Sequence, residues 1–116
     1  MGLIASLLVL LVALLHLYFL VLEMFLWTRP LGLKTFRNTP EKAEVTRVLA
    51  ANQGLYNGFL AAGLVWGWST ARTDVVLFFL GCVIVAALYS AWSVNRRIFY
   101  VQGVPAIAAV AALLLA

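Results

Sequence analysis

Leu49-Ala50-Ala51-Asn52-Gln53-Gly54-Leu55-Tyr56-Asn57-Gly58-Phe59 is the stretch on which the reading of this chain turns. It lies inside an apolar run of membrane-spanning length, yet it carries two asparagines, a glutamine and a tyrosine. On a helix advancing about 100° per residue, Asn52, Gln53, Tyr56 and Asn57 share one face. Ala50, Gly54, Gly58 and Ala62 form a second face, displaced by roughly 150°. The pattern predicts a polar side that lines a site inside a small membrane bundle. The smooth side is expected to pack against a neighbouring helix.

Composition points to the same solvent. The chain has 116 residues, 66% hydrophobic and only 10% charged, whereas a soluble domain carries about 25% charged residues. The net charge of +4 does not imply nucleic acid, because the basic residues sit in short segments between apolar runs. That distribution belongs to membrane topology rather than to a phosphate-reading face. The lone cysteine, Cys82, has no intrachain partner and falls in an apolar run; it reads as a small packing residue. One histidine, few acids and no thiol pair predict no metal site, and no cofactor is expected.

Four helices are predicted, over about 2–27, 40–68, 75–94 and 98–116. A bilayer core needs about 20 apolar residues, and the first run exceeds that. It does not read as a signal peptide: no basic residue precedes it and no small-x-small site follows it. Two residues interrupt it, His16 and Glu23, seven apart and so on one face. Thr28 to Arg47 reads as the only substantial loop, with Pro30 and Gly32 ending the first helix. Thr39-Pro40-Glu41 carries a helix-start signature: Thr39 as N-cap, Pro40 at the first helical position, and Glu41 and Glu44 near the positive end of the dipole. Ser69 to Asp74 is a tight polar connection, and Asn95-Arg96-Arg97 a short basic turn. Gln102 and Pro105 fall early in the last helix, where Pro105 should free the carbonyl of Val101.

Orientation follows from charge. Arg29, Lys34, Arg37, Lys42 and Arg47 lie in the first connection and Arg96 and Arg97 in the third, against Arg72 alone in the second. The bias predicts a cell (inner) membrane protein with the large loop cytoplasmic and both termini outside. Depth can be counted at 1.5 Å per residue. Glu23, Asn52, Gln53, Tyr89 and Gln102 then fall in the cytoplasmic half, with His16 and Asn57 near the midplane. Polar groups in hydrocarbon are costly and should satisfy one another or a ligand. These eight residues (Glu23, His16, Asn52, Gln53, Tyr56, Asn57, Tyr89 and Gln102) are the candidate site. Interhelical bonding that only holds the bundle together is the competing explanation for the amides. Gly54-x3-Gly58 and Gly63-x3-Gly67 are candidates for close helix packing, within the bundle or between protomers.

Leu22-Glu23-Met24-Phe25-Leu26-Trp27, the block Val48 to Gly58, Phe79-Leu80-Gly81-Cys82 and Val101-Gln102-Gly103-Val104-Pro105-Ala106 resemble the small bacterial membrane proteins grouped as domain of unknown function 1304. The resemblance covers nearly the whole chain. It implies an all-α, polytopic, four-transmembrane-helix bundle and carries no established activity.

Three functional expectations follow from the residues. The first is a pocket, open towards the cytoplasm, that binds a small molecule and transports it; a chain this small would act as a homo-oligomer. The second is an intramembrane acid-base enzyme, isomerase-like, acting on a lipidic substrate through Glu23 and His16. The third is an accessory membrane subunit. The expected partners are the bilayer and an unknown small molecule or lipid, with no nucleic acid.

Overall fold

The computed structural model describes Met1–Leu115, and its regular structure is entirely helical: α1 (Leu3–Met24), α2 (Pro30–Phe36), α3 (Pro40–Ser69), α4 (Thr73–Ser93), a single turn α5 (Arg96–Ile98), a π-helical turn (Phe99–Gly103) and α6 (Val104–Leu115). Ala116, which the sequence placed in the last helix, lies outside the described residues. Three helices are long and apolar enough to cross a membrane: α1, α4 and the stretch Arg96–Leu115. The sequence reading had four. The missing one is α3, the longest of all, whose Asn52, Gln53 and Asn57 dilute its apolar run.

Two boundaries differ from expectation for local reasons. α1 stops at Met24 rather than Trp27, because the Phe25 and Leu26 amides both reach back to the Val21 carbonyl, at 3.0 and 3.1 Å. That widened turn redirects the chain. Pro30 then does not end a helix but begins one, at a position where its missing N–H is no loss. The expected loop therefore contains α2. Arg37 closes α2 in the left-handed conformation, φ 52°, while the Asn38 amide donates to the Leu33 carbonyl at 2.9 Å. Thr39 caps α3 as its residue type suggests: the Lys42 amide donates to Thr39 Oγ1 at 3.2 Å.

The last helix is interrupted as well. The Val104 amide bonds to the Phe99 carbonyl, a five-residue step. Pro105 follows and has no amide to offer the Val101 carbonyl, so the backbone relaxes into a π turn before α6 resumes. Asn95 starts this region by accepting from the Arg97 amide at 2.8 Å.

The chain divides into two compact units. One comprises residues 1–15 and those from Leu60 onward. Its core is Val9, Val12, Leu64, Val76, Leu80 and Val83, closed by Ala106 and Ala109. Gly63 and Gly67 permit close approach of α4 in this unit. A Cβ at Gly63 would lie 2.4 Å from the Phe79 ring, and one at Gly67 2.7 Å from a Val76 methyl. The other unit is His16–Phe59: the end of α1, all of α2 and the first two-thirds of α3.

Candidate functional site

Within the His16–Phe59 unit, Gly54 brings α3 against the end of α1. A Cβ at Gly54 would stand 2.7 Å from Met24 Cγ, 3.1 Å from Glu23 Cβ and 3.3 Å from the Leu20 carbonyl oxygen. Gly58, one turn on, receives the end of the Leu20 side chain. The glycines thus put α3 backbone directly opposite Glu23, and the residues flanking them are carried into reach of its carboxyl.

Glu23 is 2% exposed, and both of its oxygens accept a hydrogen bond. Gln53 Nε2 donates to Oε2 at 2.6 Å, and Asn57 Nδ2 donates to Oε1 at 2.5 Å. Asn57 is itself buried, whereas Gln53 keeps an exposed flank. Arg47 pairs with Glu44 and Arg72 with Asp74, both away from Glu23 in the chain. Its partners are two neutral amides, and an amide can present either its N–H or its C=O end to a carboxyl. Such a cluster can therefore accommodate the carboxyl with or without a proton by rotating one side chain.

The other expected members are distributed differently. Asn52 is exposed, and its Nδ2 bonds to the Val48 carbonyl of its own helix at 2.8 Å. Tyr56 is 61% exposed, with its ring 6.1 Å from Phe59. The single polar face therefore splits in two. The close approach to α1 is at Gly54; Gln53 and Asn57 lie within about 100° of it on one flank, and Asn52 and Tyr56 lie about 160° from it. Gln53 and Asn57 thus adjoin the smooth face, expected to be separate from the whole polar face, while Asn52 and Tyr56 stay apart from it.

His16 is completely buried two turns before Glu23, about 10 Å along the axis, and its ring meets Phe19 edge-on at 5.3 Å. Tyr89 and Gln102 belong to the other unit. Tyr89 is 66% exposed beside Trp92, at 5.9 Å, and Gln102 sits half-buried in the π turn. No group of three or more metal-ligating side chains is found among the described residues.

Sequence reasoning passed over Trp27 and Thr46. The Trp27 indole donates to Thr46 Oγ1 at 3.1 Å, and that hydroxyl donates to the Lys42 carbonyl at 2.8 Å. This ties the turn after Glu23 to the start of α3 and so fixes the register of the carboxyl against its amides. The signal available in the sequence is a tryptophan four residues after the acid.

Comparison with known proteins gives a match to the model of a protein family of unknown function, DUF1304, over residues 10–114. An uncharacterized protein, YpaA, of Lactococcus lactis subsp. lactis (strain IL1403) is 34% identical over 107 residues, which is 89% of this chain and 90% of that protein. No solved structure matches.

Proposed function

Because the chain belongs to the DUF1304 family, whose description is one of unknown function, its role has to be read from its own chemistry, and we propose that it is an integral membrane protein that binds a small cationic ligand at Glu23 and can carry that ligand or a proton across the bilayer. The observation that carries this is the buried carboxyl whose two oxygens are both held by neutral amides. An ionised carboxylate in a low-dielectric interior costs several kcal/mol unless compensated, by order of magnitude, and two neutral amides supply hydrogen bonds but no charge. A positive partner, a proton or a ligand ammonium, supplies the rest.

Gln53 is the movable member. It is reached from the surface, while Asn57 is enclosed. Rotation of the Gln53 side chain frees Oε2 for an N–H donor on a ligand without moving either helix. Asn57 then holds the carboxyl in place from the inner side.

In this reading α3 is the fourth span despite its weaker hydropathy. Its 30 residues reach about 45 Å, and its buried amide is met by a partner on α1. The connection containing α2 and the turn at Arg96 and Arg97 are then cytoplasmic, with both termini outside, as the basic bias favours.

The test uses purified full-length protein and a panel of small N–H cations, including ethylammonium, guanidinium and spermidine. Binding is followed by native mass spectrometry and thermal shift, and proton movement with a pH-sensitive dye in proteoliposomes. Wild type should bind at least one cation or conduct protons, and Glu23→Gln should lose that activity at least tenfold. Full retention in Glu23→Gln sinks the proposal, as does silence of the wild type in both assays.

A further inference from the structure

The segment between α1 and α3 holds more positive charge than it pairs. From Thr28 to Arg47 there are five basic residues against two acidic ones, Glu41 and Glu44, a net charge of +3. Arg47 is paired with Glu44 at 3.3 Å. Arg29, Lys34, Arg37 and Lys42 are exposed and have no acidic partner among the described residues.

α2 presents these charges on a fixed platform. Gly32 is buried, and a Cβ there would lie 1.9 Å from the Leu26 carbonyl oxygen. The helix backbone therefore rests directly on the Leu26–Trp27 turn. Lys34 is about 200° further round and points away from that contact. Leu31, 47% exposed, and Phe36, 37% exposed, stand on the two shoulders. The Phe36 ring packs on Trp27 at 4.8 Å, and Trp27 is bonded to Thr46. Arg29 precedes the helix and Arg37 follows it. The result is a short helix fixed on one side, with cations at both ends and on its outer face and apolar side chains between them. That is the distribution of a helix lying in the interfacial plane of an anionic membrane.

We propose that α2 and its flanking cations bind anionic phospholipid, with lipid phosphates against Arg29, Lys34, Arg37 and Lys42 and the upper acyl region against Leu31 and Phe36. Charge complementarity selects the occupant: a zwitterionic lipid brings no net charge to the four cations, while an anionic one does. The apolar shoulders select a lipid over a soluble phosphate. The site is independent of Glu23 and stands or falls without it.

Full-length protein in dodecylmaltoside micelles is titrated with phosphatidylglycerol or phosphatidylcholine of identical acyl chains and followed by native mass spectrometry, with inorganic phosphate and glycerol phosphate as soluble competitors. Phosphatidylglycerol should bind at least tenfold more tightly than phosphatidylcholine. Lys34→Gln and Arg37→Gln should each reduce that preference about fivefold, by the per-charge value at a membrane surface. Lys34→Arg should keep it. Arg72→Gln in another connection should leave it unchanged, since that guanidinium is already held by Asp74 at 2.8 and 3.0 Å and is shifted above its ordinary pKa by that hydrogen bond. Leu31→Ser should weaken lipid binding. Equal affinity for the two lipids overturns the proposal. So does a preference that survives loss of Arg29, Lys34 and Arg37 together, or a drop as large in Arg72→Gln. Displacement of the lipid by millimolar inorganic phosphate would reassign the site to soluble anions and overturn it too.

Discussion

The bonds between Glu23 and its amides can be weighed by a double-mutant cycle on Glu23→Ala and Asn57→Ala. Asn57 is 9% exposed and donates to a carboxyl that is 2% exposed, so water cannot replace either group. Hydrogen bonds to charged groups contribute about 1.5–3 kcal/mol in proteins, while polar pairs between membrane helices average about 0.6 and reach about 1.7 kcal/mol. With α3 as the proposed fourth span both scales apply, and the expected coupling is about 1–2 kcal/mol. Asn57→Ala alone should destabilise by about 2 kcal/mol, because Oε1 is left without a donor in a closed space. Gln53→Ala should cost less, below about 1 kcal/mol, since Gln53 is exposed and its removal opens the cluster at the surface, whereas loss of Asn57 leaves a closed space. The assay is reversible unfolding in mixed dodecyl sulfate and dodecylmaltoside micelles, followed by circular dichroism at fixed lipid content. Single costs that sum to the double within about 0.5 kcal/mol would mean that the two side chains do not interact. Equal losses for Asn57→Ala and Gln53→Ala would refute the inner and outer roles assigned to them.

Three further substitutions report on the supports of the site. Gly54→Ala forces a methyl to within 2.7 Å of Met24 Cγ and 3.1 Å of Glu23 Cβ, and should destabilise by about 1–3 kcal/mol in the same unfolding assay. Gly32→Ala meets backbone rather than side chain, at 1.9 Å from the Leu26 oxygen; it should detach α2 and expose Trp27 to water-soluble quenchers, with a cost at or above the top of that range. Trp27→Phe keeps the ring against Phe36 but removes the donor to Thr46, and should cost about 0.5–1.5 kcal/mol in the unfolding assay. Thr46→Val should cost a similar amount without adding to it.

Much of the helical order was legible because the signals were local. Thr39 and Pro40 announce the start of α3 through capping chemistry, and the apolar runs of α1, α4 and the last helix need no partner to be recognised. Glu23 stood out because a carboxyl in such a run is costly anywhere. What escaped reading depended on how neighbouring segments pack. Pro30 and Gly32 are breakers in isolation, yet here one opens α2 and the other is its contact point with the preceding turn. The phase of α3 was misjudged because all its polar residues were given equal weight. Steric access decides instead: Gly54 lets α3 close on the end of α1, and Gln53 and Asn57 profit from lying on one flank of it. Asn52, with the same chemistry as Asn57, bonds to its own helix because it is turned away from that contact.

The weak hydropathy of α3 and the acid in α1 are best understood as a pair. A helix with Asn52, Gln53 and Asn57 partitions poorly by itself, and a helix ending in Glu23 carries a costly group. Bringing the amides onto the carboxyl satisfies groups on both helices, so α3 should enter the membrane more readily once α1 is there to receive it. Glycosylation mapping in microsomes tests this with an acceptor site placed after Ser69. A fragment holding α3 alone should insert less efficiently than one holding α1 to α3. Replacing Glu23 with Leu in the longer fragment makes α1 more apolar but removes the acceptor. If hydropathy alone governs, α3 inserts as well or better; if the amides need their partner, its insertion falls towards that of the isolated helix. Undiminished insertion of α3 in the Glu23→Leu fragment would show that Gln53 and Asn57 find adequate partners elsewhere, and would separate the membrane placement of α3 from the Glu23 cluster.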